Sequence, residues 1–279
     1  MPRMRILTAS EQEAFDKPPL LDHRERKQVF DLPKDLMDIA ASLRTPGTRI
    51  GFVLVCGYFR AARRFYSPQD FHERDIQAAA AVLGLKASDF SPDRYAKQTR
   101  TRHQQIVLDF HGFAPFGKTA EAALAVEIAT MARTHLKPRL IFDRCVDFLI
   151  QRRVQVPRAG TLLELIRSGL QARKAELVAL VDAHITAAAR DLLDDLFTAP
   201  EEQNRYRLTL LKKLSQSTKP TRIREAIADF ETLAVLHGEL ETILSVLDLG
   251  VAGIRYYAGS VLKSRMFQLQ QRSESDRYM

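Results

Sequence analysis

Apolar side chains recur along this chain at intervals of three and four residues, the spacing that lines one face of an α-helix. Nowhere does a run of β-branched residues alternate with polar ones between turn signals, as a half-buried strand would. The pattern predicts an all-α protein. Ser10 followed by Glu13, and Asp22 followed by Glu25, have the spacing of capping boxes, and Pro33 and Pro46 suit the first turn of a helix. Thr45 then caps a long apolar helix that passes through Gly51 to Phe65, GFVLVCGYFRAARRF, into a cationic end. Ser67-Pro68 opens the next segment, which runs through AAAAVLG and stops at Gly84, a residue suited to a left-handed C-terminal cap.

The segment 99–110 is again helical, with Ile106, Val107 and Phe110 on its inner face, and the turn Phe113 to Gly117 ends it. Helices are expected over 119–134 and 138–153, then over 161–185, 187–197, 203–214, 222–237 and 240–249, where the register becomes longer and rich in Leu and Ala. The polar stretch DFSPDRYA and the dipeptide Val156-Pro157 mark two boundaries. They divide the chain into modules 1–88, 89–155 and 156–279, the last a bundle of longer helices.

The chain is strongly basic. The 279 residues carry a formal net charge of +8 and a sequence pI near 9.6, which calls for a polyanionic partner, nucleic acid or an acidic membrane surface. The N-terminus lacks the apolar core of a signal peptide, and the longest apolar run, Ile50 to Phe59, is too short to span a bilayer. Cys56 and Cys145 sit in apolar helical contexts without a second cysteine at metal or redox spacing. A soluble cytoplasmic protein, with no membrane partner, is the expectation.

Three basic segments stand out. Arg60, Arg63 and Arg64 close the apolar helix, where cations also suit the helix dipole. Lys97, Arg100, Arg102, His103 and Gln104 open the helix before the Phe113 turn, where side chains can reach a groove. The stretch 205–224 holds Arg205, Arg207, Lys212, Lys213, Lys219, Arg222 and Arg224 without one Asp or Glu, and a hydroxyl-bearing loop with Ser217 and Thr218 lies inside it. Arg139, Arg144, Arg152 and Arg153 add a further basic face. A lone charge run is ordinarily a solvated helix face. Three in one helical chain favour a phosphate backbone.

Other chemistries fit less well. Gly112 to Thr119, GFAPFGKT, formally matches a phosphate-cradling loop, but that loop follows a strand and exposes backbone N–H groups, whereas here a helix precedes it and Pro115 lacks an N–H. No nucleotide cofactor is expected. Histidines lack partners at ligand spacing, and Asp191, Asp194 and Asp195 read as a solubilising face, so no metal site is assigned. No G-x-S-x-G or Cys–His context supports a nucleophile.

The opening PRMRILTASEQEAFDKPP, the run FVLVCGYFRAARRFYSPQDFHERDI, the segment TRTRHQQIVLDFHGFAPF and the later VPRAGTLLELI together resemble the N-terminal region of Tn-three family replicative transposases, over essentially the whole chain. The resemblance implies tandem helix-turn-helix-like modules that bind double-stranded DNA at the terminal inverted repeats of a transposon, in the bacterial cytoplasm at the nucleoid. It also implies that the DDE carboxylates of the transposase lie in a C-terminal domain beyond Met279, so that this chain binds DNA without cutting it and is no enzyme by itself. Arg100, Arg102, His103 and Gln104 are then groove-facing candidates, with Arg60, Arg63, Arg64 and 212–224 on the backbone. The alternative is a helical protein-interaction module whose second half forms homodimers and whose basic faces are incidental.

Overall fold

The computed structural model describes residues 6–134, 137–198, 206–212, 219–272 and 278. Among them the protein is all-α, with no strand and a single isolated bridge between Ala114 and Val154. The helices are α1 (Ala9–Asp16), α2 (His23–Phe30), α3 (Lys34–Ser42), α4 (Pro46–Ala62), α5 (Glu73–Val82), α6 (Lys97–His111), α7 (Lys118–Arg133) and α8 (Pro138–Gln151). They continue with α9 (Ala159–His184), α10 (Ala187–Asp195), α11 (Arg207–Leu211), α12 (Pro220–Leu247), α13 (Val251–Lys263) and α14 (Met266–Gln270). Two compact units result, one from Met1–Ile128 and Lys137–Ser168, the other from Ala129–Leu136 and Gly169–Met279.

The first unit is organised around α4. Thr45 caps it by accepting the Thr48 N–H at 3.3 Å, Pro46 occupies its first turn, and every residue from Ile50 to Phe59 is buried. A helix buried on all sides needs neighbours all round, and α2, α3, α5 and α6 supply them. Two glycines allow the approach. A Cβ at Gly57 would lie 2.4 Å from the Phe30 ring of α2, and one at Gly51 would lie 2.8 Å from the Tyr95 ring. Val107 and Leu108 of α6 join Phe52, Leu54 and Phe59 in this core, so residues on both sides of position 88 share it.

Asp75 of α5 is fully buried. The Tyr58 hydroxyl of α4 donates to its Oδ2 at 2.7 Å, and Arg26 Nε of α2 donates to Oδ1 at 2.6 Å. Burial and this carboxylate raise the Tyr58 pKa well above its ordinary value. A buried carboxylate has given up its water, and removing either of its two donors leaves it uncompensated and destabilises the fold.

Several boundaries differ from the sequence pattern. The first capping box is Thr8 with Glu11, at 3.1 and 2.7 Å, rather than Ser10 with Glu13; Glu13 instead pairs with Lys17 one turn on. Asp22 and Glu25 form the second box as expected. After Ser67-Pro68 only one 3-10 turn forms, Pro68–Asp70, and α5 begins beyond it. Gly84 follows α5 in the left-handed region, φ 66°. On α6 the inward residues are His103, Val107 and Leu108, while Phe110, offset from them by helical phase, is 39% exposed.

In the second unit, Leu177 and Val181 of α9 meet Ile243 and Leu247 of α12, with Leu180, Leu240 and Tyr257 packed partly against them. The helix expected over 222–237 does not stop at Gly238. α12 runs through it to Leu247, because one glycine inside a helix costs only about 1 kcal/mol and breaks nothing by itself. α13, which the pattern did not announce, follows Asp248 in a left-handed cap. Of the helix expected over 203–214, the described part is α11. Among the described residues no helix is long and apolar enough to cross a membrane.

Candidate nucleic-acid interface

α6 is held from its inner side. His103 is 1% exposed, its Nδ1 lies 2.6 Å from the Tyr95 hydroxyl, and its ring meets Phe52 edge-on at 5.1 Å. Burial first, and the Arg102 charge second, push its pKa down to about 4, so the imidazole is neutral at pH 7. His103, expected in a groove, is therefore part of the core, and its burial fixes the rotation of α6.

That rotation sends the other side of α6 outward. Gln98, Thr101, Arg102 and Gln105 are exposed at spacings of three and four residues, beside exposed Lys97 and half-buried Arg100 and Gln104. No carboxylate falls in this helix before Asp109, whose Oδ1 accepts from Gln105 Nε2 at 2.7 Å. Guanidinium and amide side chains on one rigid face are the groups that pair bidentately with guanine and adenine edges.

A second cluster forms at the C-terminal end of α6, where the ends of α4 and α8 lie against it. The Arg63 carbonyl accepts from the Val156 N–H at 3.0 Å, and the Arg153 carbonyl accepts from Ala114 N–H at 2.8 Å. The Arg63 guanidinium lies 5.6 Å from the Phe113 ring, and Arg152 lies 4.6 Å from Phe148. A Cβ on Gly112 would come within 3.2 Å of Arg153 Nη1. Residues ninety positions apart in sequence are thus brought to one turn.

Arg63 and Arg153 adopt left-handed conformations, φ 57° and 53°, that ordinarily favour glycine. Such positions cost of order 1 kcal/mol each and concentrate at functional sites. Beside them His111 is kept below its ordinary pKa by burial and by the Arg63 and Arg60 charges, and its Nε2 is buried without a hydrogen-bond partner.

The remaining basic residues divide clearly. Arg60 Nη1 donates to the carbonyls of Val29 and Asp31 at 3.1 and 2.5 Å, holding α4 to the end of α2. Arg64 is buried, with its guanidinium 3.5 Å from the Phe15 ring and Nη2 donating to Asp16 at 3.2 Å. Both serve the fold in this state. In the second unit Arg207 pairs with Asp195, Lys212 Nζ donates to the Ser264 carbonyl at 3.1 Å, and Arg222 pairs with Glu225 at 2.6 Å. Arg224 and Lys219 are exposed. Lys213, Ser217 and Thr218 lie outside the described residues. Among the described residues no three His, Cys, Asp or Glu side chains gather as a metal site.

The GFAPFGKT turn follows a helix, α6, and leads directly into α7 at Lys118, with Ala114 tied to the chain after α8 rather than to a sheet. Cys56 and Cys145 are buried, and burial raises both thiols, Cys145 to about 12, which leaves them protonated and unreactive.

No curated protein matches this sequence. A family model matches residues 6–169, a span that ends within one residue of Ser168, the end of the first compact unit. The chain belongs to that family, which is described as a domain of unknown function, DUF4158.

Proposed function

We propose that this protein binds double-stranded DNA sequence-specifically, at the terminal inverted repeats of a transposon, as the end-recognition part of a transposase and without strand cleavage by the residues of this chain. The observation that carries the reading is the outward face of α6, acid-free up to Asp109 and locked in rotation by the buried Tyr95–His103 pair. Arg102, Gln98, Thr101 and Gln105 read base edges in the major groove, while Lys97 and Arg100 approach phosphates from the first turns. Arg63, Arg152 and Arg153 grip a phosphate backbone at the far end, about 20 Å away at 1.5 Å per helical residue. The net charge of +8 supports the same partner.

Fluorescence anisotropy of the protein against a duplex carrying a terminal repeat and a scrambled duplex, across a salt series, tests this. Affinity falls steeply with salt for both duplexes, and the repeat retains a preference of at least tenfold. Equal affinity for the two duplexes at every salt concentration refutes sequence-specific recognition.

A further inference from the structure

His111 closes the last turn of α6, where a cation suits the helix dipole, yet its surroundings hold it neutral. Its ring lies 5.5 Å from Phe59 and meets Phe110 edge-on at 5.1 Å, and its Nε2 is buried without a hydrogen-bond partner. A buried polar atom left unmatched is rare in a folded chain and calls for a physical cause. Phe59 carries Arg63 as well, whose guanidinium is 6.0 Å from the ring, and Phe113 meets Phe59 edge-on at 5.3 Å. One residue beyond His111, Gly112 takes φ 64°, and its missing Cβ leaves room for Arg153 Nη1 against the turn. Two arginines in left-handed backbone thus stand beside the turn that holds the imidazole, and among the described residues neither pairs with a carboxylate.

We infer that His111 is a further member of the phosphate grip of Arg63, Arg152 and Arg153 and meets a DNA phosphodiester as its imidazolium, so that docking at this turn takes a proton from solvent. The inference rests on the DNA reading and adds to it a residue that reading does not use. In the free protein the charges that act on His111 are both positive, Arg63 and Arg60 of α4, and together with burial they keep the imidazole below its ordinary pKa. The other charged groups about the turn are Arg152 and Arg153 at the end of α8 and Asp109 of α6, whose carboxylate accepts from Gln105. A phosphate seated against the arginines reverses the local balance. It offsets the cations, adds an anion, and leaves the carbonyl end of α6 to favour a positive ring. The proton comes from the buffer, the phosphodiester keeps its single negative charge, and no covalent bond changes. The N–H that protonation adds gains in that anion an acceptor that the free protein does not offer.

Titration calorimetry of the full chain with a duplex of arbitrary sequence, in two buffers of different ionisation enthalpy at one pH and salt concentration, counts the protons taken up on binding. The wild type takes up protons that His111→Gln does not. Affinity of the wild type rises about fivefold from pH 7.5 to pH 5.5, the equivalent of about one pKa unit gained by the ring on docking, and His111→Gln flattens that rise while circular dichroism is unchanged. The other histidines are common to both proteins, so the difference belongs to His111. Nitrogen-15 spectra of the wild-type histidines answer the same question without a substitution: the His111 ring passes from neutral to charged when duplex is added. Equal proton uptake in wild type and His111→Gln, or a His111 ring that stays neutral in the bound protein, overturns the inference and leaves the DNA reading standing. Absence of binding to any duplex overturns the DNA reading and the inference with it.

Discussion

The two units handle apolar side chains in opposite ways. The first closes around α4, whose residues from Ile50 to Phe59 are buried on all sides, and its polar requirements are met inside by Asp75, Tyr58 and Arg26. The second has a smaller core, Leu177, Val181, Ile243 and Leu247, and leaves Phe230, Ile227 and Val251 on the outside of long helices. The first unit also leaves Leu20, Val126 and Leu140 exposed, but the outward side of its α6 is cationic and free of carboxylates before Asp109. The proposed recognition of a polyanion thus rests on the first unit, while the second leaves more of its apolar side chains exposed.

The largest expected effect that sharpens this contrast is truncation of the same residue type in both units. Phe59→Ala lowers the stability of the first unit by about 3–5 kcal/mol, because the cavity forms in a closed core. Phe230→Ala, on an exposed face, changes unfolding of the monomer by less than about 0.5 kcal/mol. Thermal unfolding of both variants at low protein concentration measures the difference, and similar losses would show that Phe230 is enclosed as Phe59 is.

Next in size is the buried carboxylate. Asp75→Ala leaves Arg26 and the Tyr58 hydroxyl without their acceptor and costs about 3 kcal/mol, read by urea denaturation. The pH dependence of stability comes third. The folded pKa of His103 is near 4 against an ordinary value of 6.5, so the unfolded state binds more protons between those values. The stability held by neutral His103 is complete above pH 6.5 and is lost as pH falls toward 4, by up to about 3 kcal/mol. Melting temperatures recorded across that window show the fall, and His103→Gln flattens it.

The smallest effect separates strain from binding. Arg153→Gly removes a left-handed arginine and raises stability by about 0.5–1 kcal/mol. The same change weakens DNA binding and reduces the slope of log K against log salt by about one. A loss of stability together with unchanged binding would remove Arg153 from the interface and assign it to the fold.

Local signals were legible in the sequence wherever the determinant is local. Thr45-Pro46, Asp22 with Glu25, and Gly84 are each read from a few residues, and the all-α class follows from periodicity. Thr8 with Glu11 and Ser10 with Glu13 match the same pattern, and nothing local separates them. Arg60, Arg64 and His103 look like surface chemistry because their partners are remote: Val29, Asp16 and the core beneath α6 are found only once the chain is folded. For the same reason the basic segments suggested three separate sites, whereas folding brings Arg63 beside Arg153 at the Gly112 turn. No sequence signal marked that cluster: the periodicity carries the helices through Arg63 and Arg153, and only the folded backbone places both in the left-handed region.

Hydrogen exchange of the full chain, with and without a terminal-repeat duplex, tests the assignment of recognition to the first unit most directly. New protection is expected over the exposed first turns of α6, Lys97 to Gln105, and over 152–154, with α12 unchanged by DNA. Protection confined to 206–272, or none in α6 under conditions where the duplex is bound, would contradict it.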